Sequence, residues 1–351
     1  MPVCSRATID RMPAPDPLRY HGDSAARGAR IDFAVNVRGS APQWLTAGLR
    51  KAVDELAAYP DPGLDREVRE ALGARHGRPA DEVLLLNGVA EGFALLPHLS
   101  SSATVVCPQF TEPEAAFAAA GVSVHRAICP EPWDLPELAP NTDVAVVGNP
   151  TNPTSRIHSQ SEILNLADHC LLLVVDEAFM DVIHPLDFPD GQDPSVASVR
   201  DDRLIVFRSL TKTWALAGLR CGYALGSAEV LAAMAARRPA WPLGTLQLRA
   251  MQLVAEHGDL GQLQEQIRAE RQAMAGLLTD AEWMVAPGGA PFILARPPVD
   301  DIDAARDRLA TRGIAVRRCD TFPGLDPTWW RLAVRGTDEV GTLVSELRSM
   351  Q

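Results

Sequence analysis

One lysine directly follows an apolar run and is the first candidate for covalent chemistry. Lys212 lies in the segment SLTKTWALAGLRCGY, after the run LIVFR. A lysine amine is a nucleophile only when deprotonated, and burial or a nearby cation lowers its pKa. Ser209 and Arg220, three residues before and eight after it, supply a hydroxyl and a guanidinium that can bind a phosphate. Taken alone, Lys212 is more typical of an exposed lysine at a strand end.

An aspartate follows a second apolar run. Asp176 comes directly after LLLVV, and a carboxylate there is poorly solvated unless it meets a cation or a metal. A protonated pyridine nitrogen is one suitable partner, and helix capping is the structural alternative. The metal-binding aspartate of a Walker-type NTPase requires a G-x-x-x-x-G-K-[ST] loop, which the sequence lacks.

Two turns follow further apolar runs. The segment GNPTNPTS, which contains Asn152, follows VAVV, and its two Asn-Pro steps fix a turn that directs side-chain amides toward the strand ends. The segment NGVAEG follows VLLL, and Gly88 permits a tight turn into a helix whose first N–H groups can bind a phosphate. Each turn alone is also typical of an ordinary loop.

These candidates are spaced along alternating strand and helix patterns. Apolar runs without polar alternation are typical of strands buried on both faces of a parallel sheet. Strand and helix alternation predicts a doubly wound α/β layer, with sites at the carboxyl ends of the strands. The predicted strands are 83–86, 104–107, 122–126, 144–147, 171–175, 204–207 and 222–225, and the predicted helices are 91–99, 112–120, 159–169 and 229–237.

The last hundred residues have a different pattern. A long amphipathic helix at 259–279, strands at 292–295, 314–317 and 331–334, and helices at 303–312 and 338–348 predict a smaller α+β domain. The Pro-rich first 50 residues are expected to be irregular and to pack with it. The predicted domains are therefore an N-terminal segment at 1–50, a large domain at 51–245 and a small domain at 246–351.

Composition excludes several classes of protein. With 46% apolar and 22% charged residues, the 351-residue chain is neither disordered, collagen-like nor a coiled coil. A net charge of −12 disfavours nucleic acid as a partner. No apolar run approaches the ~20 residues of a membrane helix, and the first residues lack a secretory h-region. Six scattered cysteines without metal-ligand spacing predict free thiols, no metal site and a cytoplasmic location.

Together, the four motifs and their order resemble the pyridoxal-phosphate enzymes of aminotransferase fold type I. The resemblance implies that Lys212 forms the Schiff base, that Asp176 keeps the pyridine nitrogen protonated, and that Asn152 binds the ring hydroxyl. It also implies that Phe110 stacks on the ring. The other implied cofactor-binding residues are Gly88, Val89, Ala90, Glu91, Phe179, Ser209, Thr211 and Arg220.

Further segments extend the resemblance over residues 20–350. AAYPDP is similar to a Tyr-Pro-Asp segment whose tyrosine reaches the cofactor phosphate of the partner subunit, which implies a homodimer with shared sites and a cofactor role for Tyr59. VRRCDTFPG and WRLAVR are similar to two arginine segments, and Arg331 is where such enzymes bind a substrate carboxylate. The implied substrate-binding residues are His21, Asn36, Arg317, Arg331 and Arg335.

The nearest subgroups are the histidinol-phosphate aminotransferases and the threonine-phosphate decarboxylases of cobalamin synthesis. YHGD and DFAVN resemble the decarboxylases. The resemblance implies an aminotransferase for a small phosphorylated amino compound, with glutamate and 2-oxoglutarate as exchange partners. The alternatives are threonine-phosphate decarboxylation and a non-catalytic module that binds the cofactor. A nicotinamide dehydrogenase is disfavoured because no G-x-G-x-x-G follows a strand.

The departures from the family pattern concern mainly the substrate. Phe179 stands where many histidinol-phosphate aminotransferases have tyrosine, and Ser155 stands where the loop usually ends in glycine. The relatives' Asn-Pro-Leu-Gly is VRGS at 37–40, and an Asn-Phe pair of the small domain is Pro291-Phe292. The sequence therefore identifies the cofactor more firmly than the substrate.

Overall fold

The structure, a computed structural model, describes residues 17–139 and 142–349. Cys4 and the N-terminal segment without an h-region lie outside the described residues. The strands are β1 (Ile31–Asp32), β2 (Val83–Leu86), β3 (Ser102–Cys107), β4 (Ser123–Ile128), β5 (Thr142–Gly148), β6 (Cys170–Asp176), β7 (Leu204–Ser209), β8 (Gly222–Leu225), β9 (Met284–Val285), β10 (Phe292–Arg296), β11 (Ile314–Ala315), β12 (Arg317–Arg318) and β13 (Trp330–Ala333).

Helices surround these strands. They are α1 (Gly22–Ala26), α2 (Gln43–Ala52), α3 (Pro62–Ala74), α4 (Val89–Leu95), α5 (Glu112–Ala119), α6 (Gln160–Ala167), α7 (Leu210–Thr213), α8 (Ala228–Ala235), α9 (Thr245–His257), α10 (Gly261–Asp280), α11 (Ile302–Thr311) and α12 (Thr337–Arg348). Among the described residues, no helix combines the length and apolar character needed to cross a bilayer.

Seven strands form the central sheet. Their order is β2-β8-β7-β6-β5-β3-β4, and β8 is antiparallel to both of its neighbours while the pairs from β7 to β4 are parallel. Successive residues of β6 pack into different cores: Leu173 and Val175 into one, Leu172 and Val174 into the other. Apolar residues on both faces of a strand are what a parallel sheet covered by helices requires. The predicted α/β class with a mainly parallel sheet is confirmed.

The chemistry-bearing residues collect at the carboxyl edge of this sheet. Gly148 is in register with Asp176, and Asp176 with Phe207, so the ends of β5, β6 and β7 lie side by side. Lys212 follows β7 on the short helix α7. The loop after β5, the end of β6 and the helix α7 are distant in sequence. They nevertheless place side-chain amides, a carboxylate and an amine at one edge of the sheet, as the topological rule for parallel sheets predicts.

A second group of strands involves both ends of the chain. The sheet β12-β13-β10-β9 is antiparallel, and β1 pairs in parallel with β11. The backbone N–H of Ala333 donates to the carbonyl of Phe33 at 2.8 Å, which extends this connection. The single strand predicted at 314–317 is instead β11 and β12, because the chain changes pairing partner at Val316.

The expectation of an irregular N-terminal region is wrong for residues 43–52. They form α2, which buries Leu45 and packs on α9, while the ring of Trp44 lies edge-on to that of Trp214 at 5.6 Å. The sequence analysis also did not predict α3, whose start is capped by Asp61 accepting from the N–H of Gly63 at 2.8 Å. The three domain boundaries remain a prediction.

Candidate active site

A cavity of about 520 Å³ opens at the carboxyl edge of the central sheet. Its walls come from the N-terminal segment, the central sheet and the four-stranded sheet. The sequence-predicted site residues that line it are His21, Asn36, Val89, Ala90, Phe110, Asn152, Asp176, Phe179, Ser209, Thr211, Lys212, Arg220, Arg317 and Arg331.

Lys212 is a buried amine between two guanidinium groups. Burial and charge repulsion from Arg331 and Arg220 together lower its pKa to about 8, although Asp176 and Asp23 oppose this shift. An amine with this pKa is partly neutral near physiological pH. It is therefore a nucleophile and a base, unlike the exposed lysine that its position alone would suggest.

Asp176 is a half-buried carboxylate in the same cavity. Burial raises its pKa to about 6, and Glu177 adds to this, while the N–H of Ala178 and the charge of Lys212 favour the ionised form. The N–H of Ala178 donates to its Oδ1 at 3.1 Å. A cation brought to Asp176 would restore its ionisation, which fits a partner such as a protonated ring nitrogen.

The loop after β5 is held by side-chain bonds to its own backbone. The Nδ2 of Asn149 donates to the carbonyl of His158 at 3.1 Å, and the His158 N–H returns a bond to Oδ1 at 2.9 Å. This pairing fixes the loop so that Asn152 lines the cavity. There its Oδ1 accepts a hydrogen bond from Nη1 of Arg331 at 2.8 Å.

The turn before α4 forms the other end of the cavity. Gly88 has a φ of 71°, which favours glycine, and a Cβ placed on it would lie 2.8 Å from Nη2 of Arg220 and displace that guanidinium. Val89 and Ala90 line the cavity, but Gly88 and Glu91 do not. The Glu91 N–H donates within the turn to the carbonyl of Gly88 at 3.1 Å, and its carboxylate binds Arg238 at 2.8 Å.

Two arginines form a buried cationic wall. Arg317 and Arg331 are register partners on β12 and β13, and only 2% and 6% of their surfaces are exposed. Burial and repulsion from Arg317 lower the pKa of Arg331 to about 9, and burial lowers the pKa of Arg317 as well. Arg317 lies over the rings of Tyr20 and Phe322, at 4.6 and 4.5 Å. A site that lowers the pKa of arginine is prepared for a bound anion.

Arg335 was predicted to bind the substrate, but it does not line the cavity. Its guanidinium donates to the carbonyls of Val334 at 3.0 Å and Val35 at 2.9 Å. Because these contacts join β13 to the N-terminal segment, the side chain supports the wall rather than facing a ligand.

The N-terminal segment covers part of the cavity. The Nε2 of His21 lies 2.8 Å from Oε1 of Glu112, and its ring centroid lies 5.6 Å from that of Phe110. Asn36 is buried, and among the described residues neither atom of its amide has a hydrogen-bond partner. An unpartnered amide in a cavity wall is suited to bind a polar ligand.

Sequence reasoning missed several residues of the wall. Asp23, Glu112 and Phe322 line the cavity, although only neighbouring residues were singled out. Their signal lay beside residues already singled out: Asp23 ends the segment YHGD, Glu112 lies two residues after Phe110, and Phe322 is part of VRRCDTFPG.

Tyr59 is remote from the cavity of its own chain. Its side chain is 77% exposed and stacks on Trp241 with ring centroids 4.5 Å apart. No cluster of three or more metal-ligating side chains occurs within residues 17–139 and 142–349.

Comparisons with known proteins agree with this geometry. The model of the family "Aminotransferase class I and II" matches residues 31–346. A histidinol-phosphate aminotransferase of Mycobacterium tuberculosis is 44% identical over 94% of this chain and 90% of its own. A threonine-phosphate decarboxylase of Salmonella typhimurium is 30% identical over 91% of each chain.

Solved structures share the fold. The histidinol-phosphate aminotransferase of Sinorhizobium meliloti, crystallised with pyridoxal 5'-phosphate, superposes with a TM-score of 0.78 at 18% identity, covering 99% of this chain and 98% of that one.

Proposed function

The chain belongs to the aminotransferase class I and II family, and on that premise we propose that it transfers the amino group of a small phosphorylated amino compound, with histidinol phosphate as the first candidate. The enzyme is a pyridoxal-phosphate-dependent aminotransferase, because that cofactor is common to the family. The substrate, the site roles and the assembly are the proposed part.

The side chains of the cavity fit this cofactor. A phosphate is accommodated where Gly88 leaves room beside Arg220, and the ring nitrogen is accommodated at Asp176, whose carboxylate forms no direct ion pair with any described residue although Lys212 is near it. When bound, the cofactor supplies an electron sink for the electron pair left at the substrate Cα. We assign the phosphate to Ser209, Thr211, Arg220 and the N–H groups of the turn before α4, and the ring to Phe110, Asn152 and Phe179.

Lys212 performs the proton transfer in this proposal. Its lowered pKa supplies a neutral amine, which holds the cofactor covalently until a substrate amine displaces it. The released amine then takes the proton from the substrate Cα and returns it at the next step. A pKa of about 8 suits both directions of transfer near neutral pH.

The two buried arginines carry the proposal for the substrate. Arg317 and Arg331 lie in the same cavity as Lys212, and among the described residues Nε of Arg331 has no hydrogen-bond partner. A phosphate or a carboxylate would stabilise both charges through bidentate hydrogen bonds. The same pair can receive the carboxylates of glutamate and 2-oxoglutarate in the second half-reaction, with His21 and Asn36 as further polar contacts.

Threonine-phosphate decarboxylation is the second candidate. The Salmonella relative supports it, and two guanidinium groups beside one lysine suit an amino acid with both a phosphate and a carboxylate. In that reaction the Cα–carboxylate bond would break with release of carbon dioxide, the bound cofactor would supply the electron sink, and Lys212 would deliver a proton to Cα. The bond perpendicular to the ring is cleaved, so the position of the carboxylate decides the reaction.

We also propose a homodimer in the cytoplasm. The side chain of Tyr59 is exposed and stacks on the ring of Trp241, so it is suited to complete the cofactor site of a partner subunit. The five described cysteines are free thiols, which supports a reducing compartment.

One set of incubations tests the proposal. Purified protein is mixed with pyridoxal 5'-phosphate and then, separately, with histidinol phosphate plus 2-oxoglutarate and with threonine phosphate. Glutamate formation supports transamination, and carbon dioxide release supports the second candidate. A visible absorption band without turnover of any amino donor would indicate a binding module. A wild-type protein without that band would falsify the assignment of the cofactor site.

A further inference from the structure

A buried ion cluster lies directly behind the cofactor site. Nη1 of Arg208 lies 2.6 Å from Oε2 of Glu177, and Nη2 of Arg208 binds Asp181. The exposed fractions of the three side chains are 7%, 0% and 13%. None of the three lines the cavity, so their charges do not meet a ligand directly.

Strand alternation places this cluster next to the two central site residues. Glu177 directly follows Asp176, the last residue of β6, and Arg208 precedes Ser209 on the neighbouring strand β7. Since successive side chains of a strand point to opposite faces, the cluster lies on the face away from the cavity. Glu177 and Arg208 are each joined by backbone to a residue that lines the cavity, Asp176 and Ser209 respectively.

The cluster also connects three segments of chain. Glu177 accepts from the Ser195 hydroxyl and from the Val196 N–H, each at 2.7 Å, so the loop before β7 is included. The carbonyl of Asp181 accepts from Nε2 of Gln264 on α10 at 2.9 Å. One guanidinium therefore holds together the turn after β6 and the end of β7.

Breaking such a pair is costly because it leaves a buried charge without a partner. Because the cluster contacts no ligand directly, its position in the core requires an explanation other than ligand binding. We propose that Arg208 is a positioning residue. By binding Glu177 and Asp181 it fixes the position of Asp176 relative to Lys212. Its positive charge also balances the negative charge of the two carboxylates behind the site. This inference rests on the proposed roles of Asp176 and Lys212.

The effect of the cluster on the charge at the site can be measured separately from its effect on the position of Asp176. The charge of Glu177 raises the pKa of Asp176, and Arg208 lies where it offsets that charge. Other titratable groups facing the cluster are His76 and Tyr223, and the charged or titratable groups facing Lys212 are Asp23, Asp176, Arg220 and Arg331. Removing one member of the cluster changes the potential at the site, and the sign depends on which member is removed.

The test compares the pH titration of the visible absorption band in cofactor-loaded variants. Glu177→Gln removes a negative charge, so we expect the midpoint to fall by about half a pH unit. Arg208→Met removes a positive charge, so the midpoint should rise by a similar amount. Arg208→Lys keeps the positive charge but loses the two-nitrogen guanidinium that binds both carboxylates. The titration midpoint should therefore stay near that of the wild type, while cofactor affinity falls about tenfold.

Glu82→Gln is the matched control. It breaks the pair in which Nη1 of Arg78 lies 2.9 Å from Oε2 of Glu82, outside the cavity wall. We expect it to lower the thermal midpoint of the apoprotein without moving the titration. If Arg208→Met does not fold, Glu177→Gln and Arg208→Lys still carry the test.

Opposite shifts support the proposal. Shifts of the same sign, or unchanged titrations with only a lowered thermal midpoint, overturn it and leave the cluster with a structural role alone. Failure of the wild type to form the visible band overturns the proposed function instead, so the two failures are distinguishable.

Discussion

Nη1 of Arg331 donates a 2.8 Å hydrogen bond to Oδ1 of Asn152. The bond joins the four-stranded sheet to the loop after β5, within the cavity. Because Oδ1 accepts this bond, the amide nitrogen of Asn152 is the donor that remains for a ligand. A substrate anion bound by Arg331 and a cofactor oxygen bound by Asn152 would therefore influence each other.

Replacement of Arg331 should weaken substrate binding more than cofactor binding. For Arg331→Gln we expect a KM increased about 10- to 100-fold, the value of a lost charge-assisted hydrogen bond, with the visible band retained. Steady-state kinetics and absorption measure the two effects. Arg318→Gln is the control, because Arg318 neighbours the site but pairs with Asp320. Equal effects of the two changes would contradict an anion site at Arg331.

The cofactor should be attached to one of only two lysines. The sequence contains Lys51, which is exposed on α2, and Lys212, which is buried. Borohydride reduction of the loaded enzyme followed by peptide mass spectrometry should find the label on Lys212. Lys212→Ala should lose the band and the label, and Lys51→Ala should keep both. A label on Lys51 would rule out the proposed covalent site.

The rate of cofactor attachment should follow the titration of Lys212. With a pKa of about 8, the neutral fraction of the amine rises about tenfold between pH 7 and pH 9 and then levels off. Stopped-flow absorption of the apoprotein with the cofactor measures this, with Nα-acetyllysine as the reference amine. A rate that still rises steeply above pH 10 would show an ordinary lysine.

Asp176→Asn should stabilise the apoprotein while it lowers turnover. The folded-state pKa of about 6 exceeds the ordinary value, so the folded state binds the proton more tightly and gains stability as the pH falls from 6 to 4. At pH 7 the buried charge costs up to about 3 kcal/mol, which asparagine removes. Urea unfolding measures the gain, and Asp168→Asn, at an exposed site, should show none. An Asp176→Asn apoprotein less stable than the wild type at pH 7 would contradict this sign.

Tyr59 should act across a subunit interface. Tyr59→Phe should weaken cofactor binding about tenfold, because one charge-assisted hydrogen bond to a phosphate is lost. Mixing inactive Lys212→Ala with inactive Tyr59→Ala should restore activity in mixed dimers, which carry one intact site. Sedimentation equilibrium establishes the dimer, and a fully active monomer would exclude the shared site.

The parallel part of the fold was predictable because its strands are buried on both faces. The run VLLL at 83–86 and the segment at 222–225 match β2 and β8 in their bounds. Their antiparallel pairing was not predictable, since apolar runs carry no direction. The helix α2 was missed because the prolines of the first 50 residues favoured an irregular structure, although Leu45, Leu49 and Ala52 recur at helical spacing.

The candidate site was predictable where backbone geometry is encoded locally. Gly88 and the Asn-Pro steps around Asn152 specify turns by residue type alone. Arg335 shows the limit of such local prediction. It lies four residues after Arg331 in the same arginine-rich segment, but its side chain binds backbone carbonyls and does not line the cavity. The Glu177–Arg208 pair shows another, since its two members are 31 residues apart and nothing local joins them.

The parallel pairing of β1 with β11 has a consequence for synthesis of the protein on the ribosome. Ile31 and Asp32 can pair with Ile314 and Ala315 only when those residues have left the exit tunnel. Until then the central sheet presents Lys212 in an open groove, without Arg317 and Arg331. Burial and the charge of Arg331 are the two main causes of the lowered pKa of Lys212, so the amine becomes a nucleophile near neutral pH only when the last strands have joined the structure.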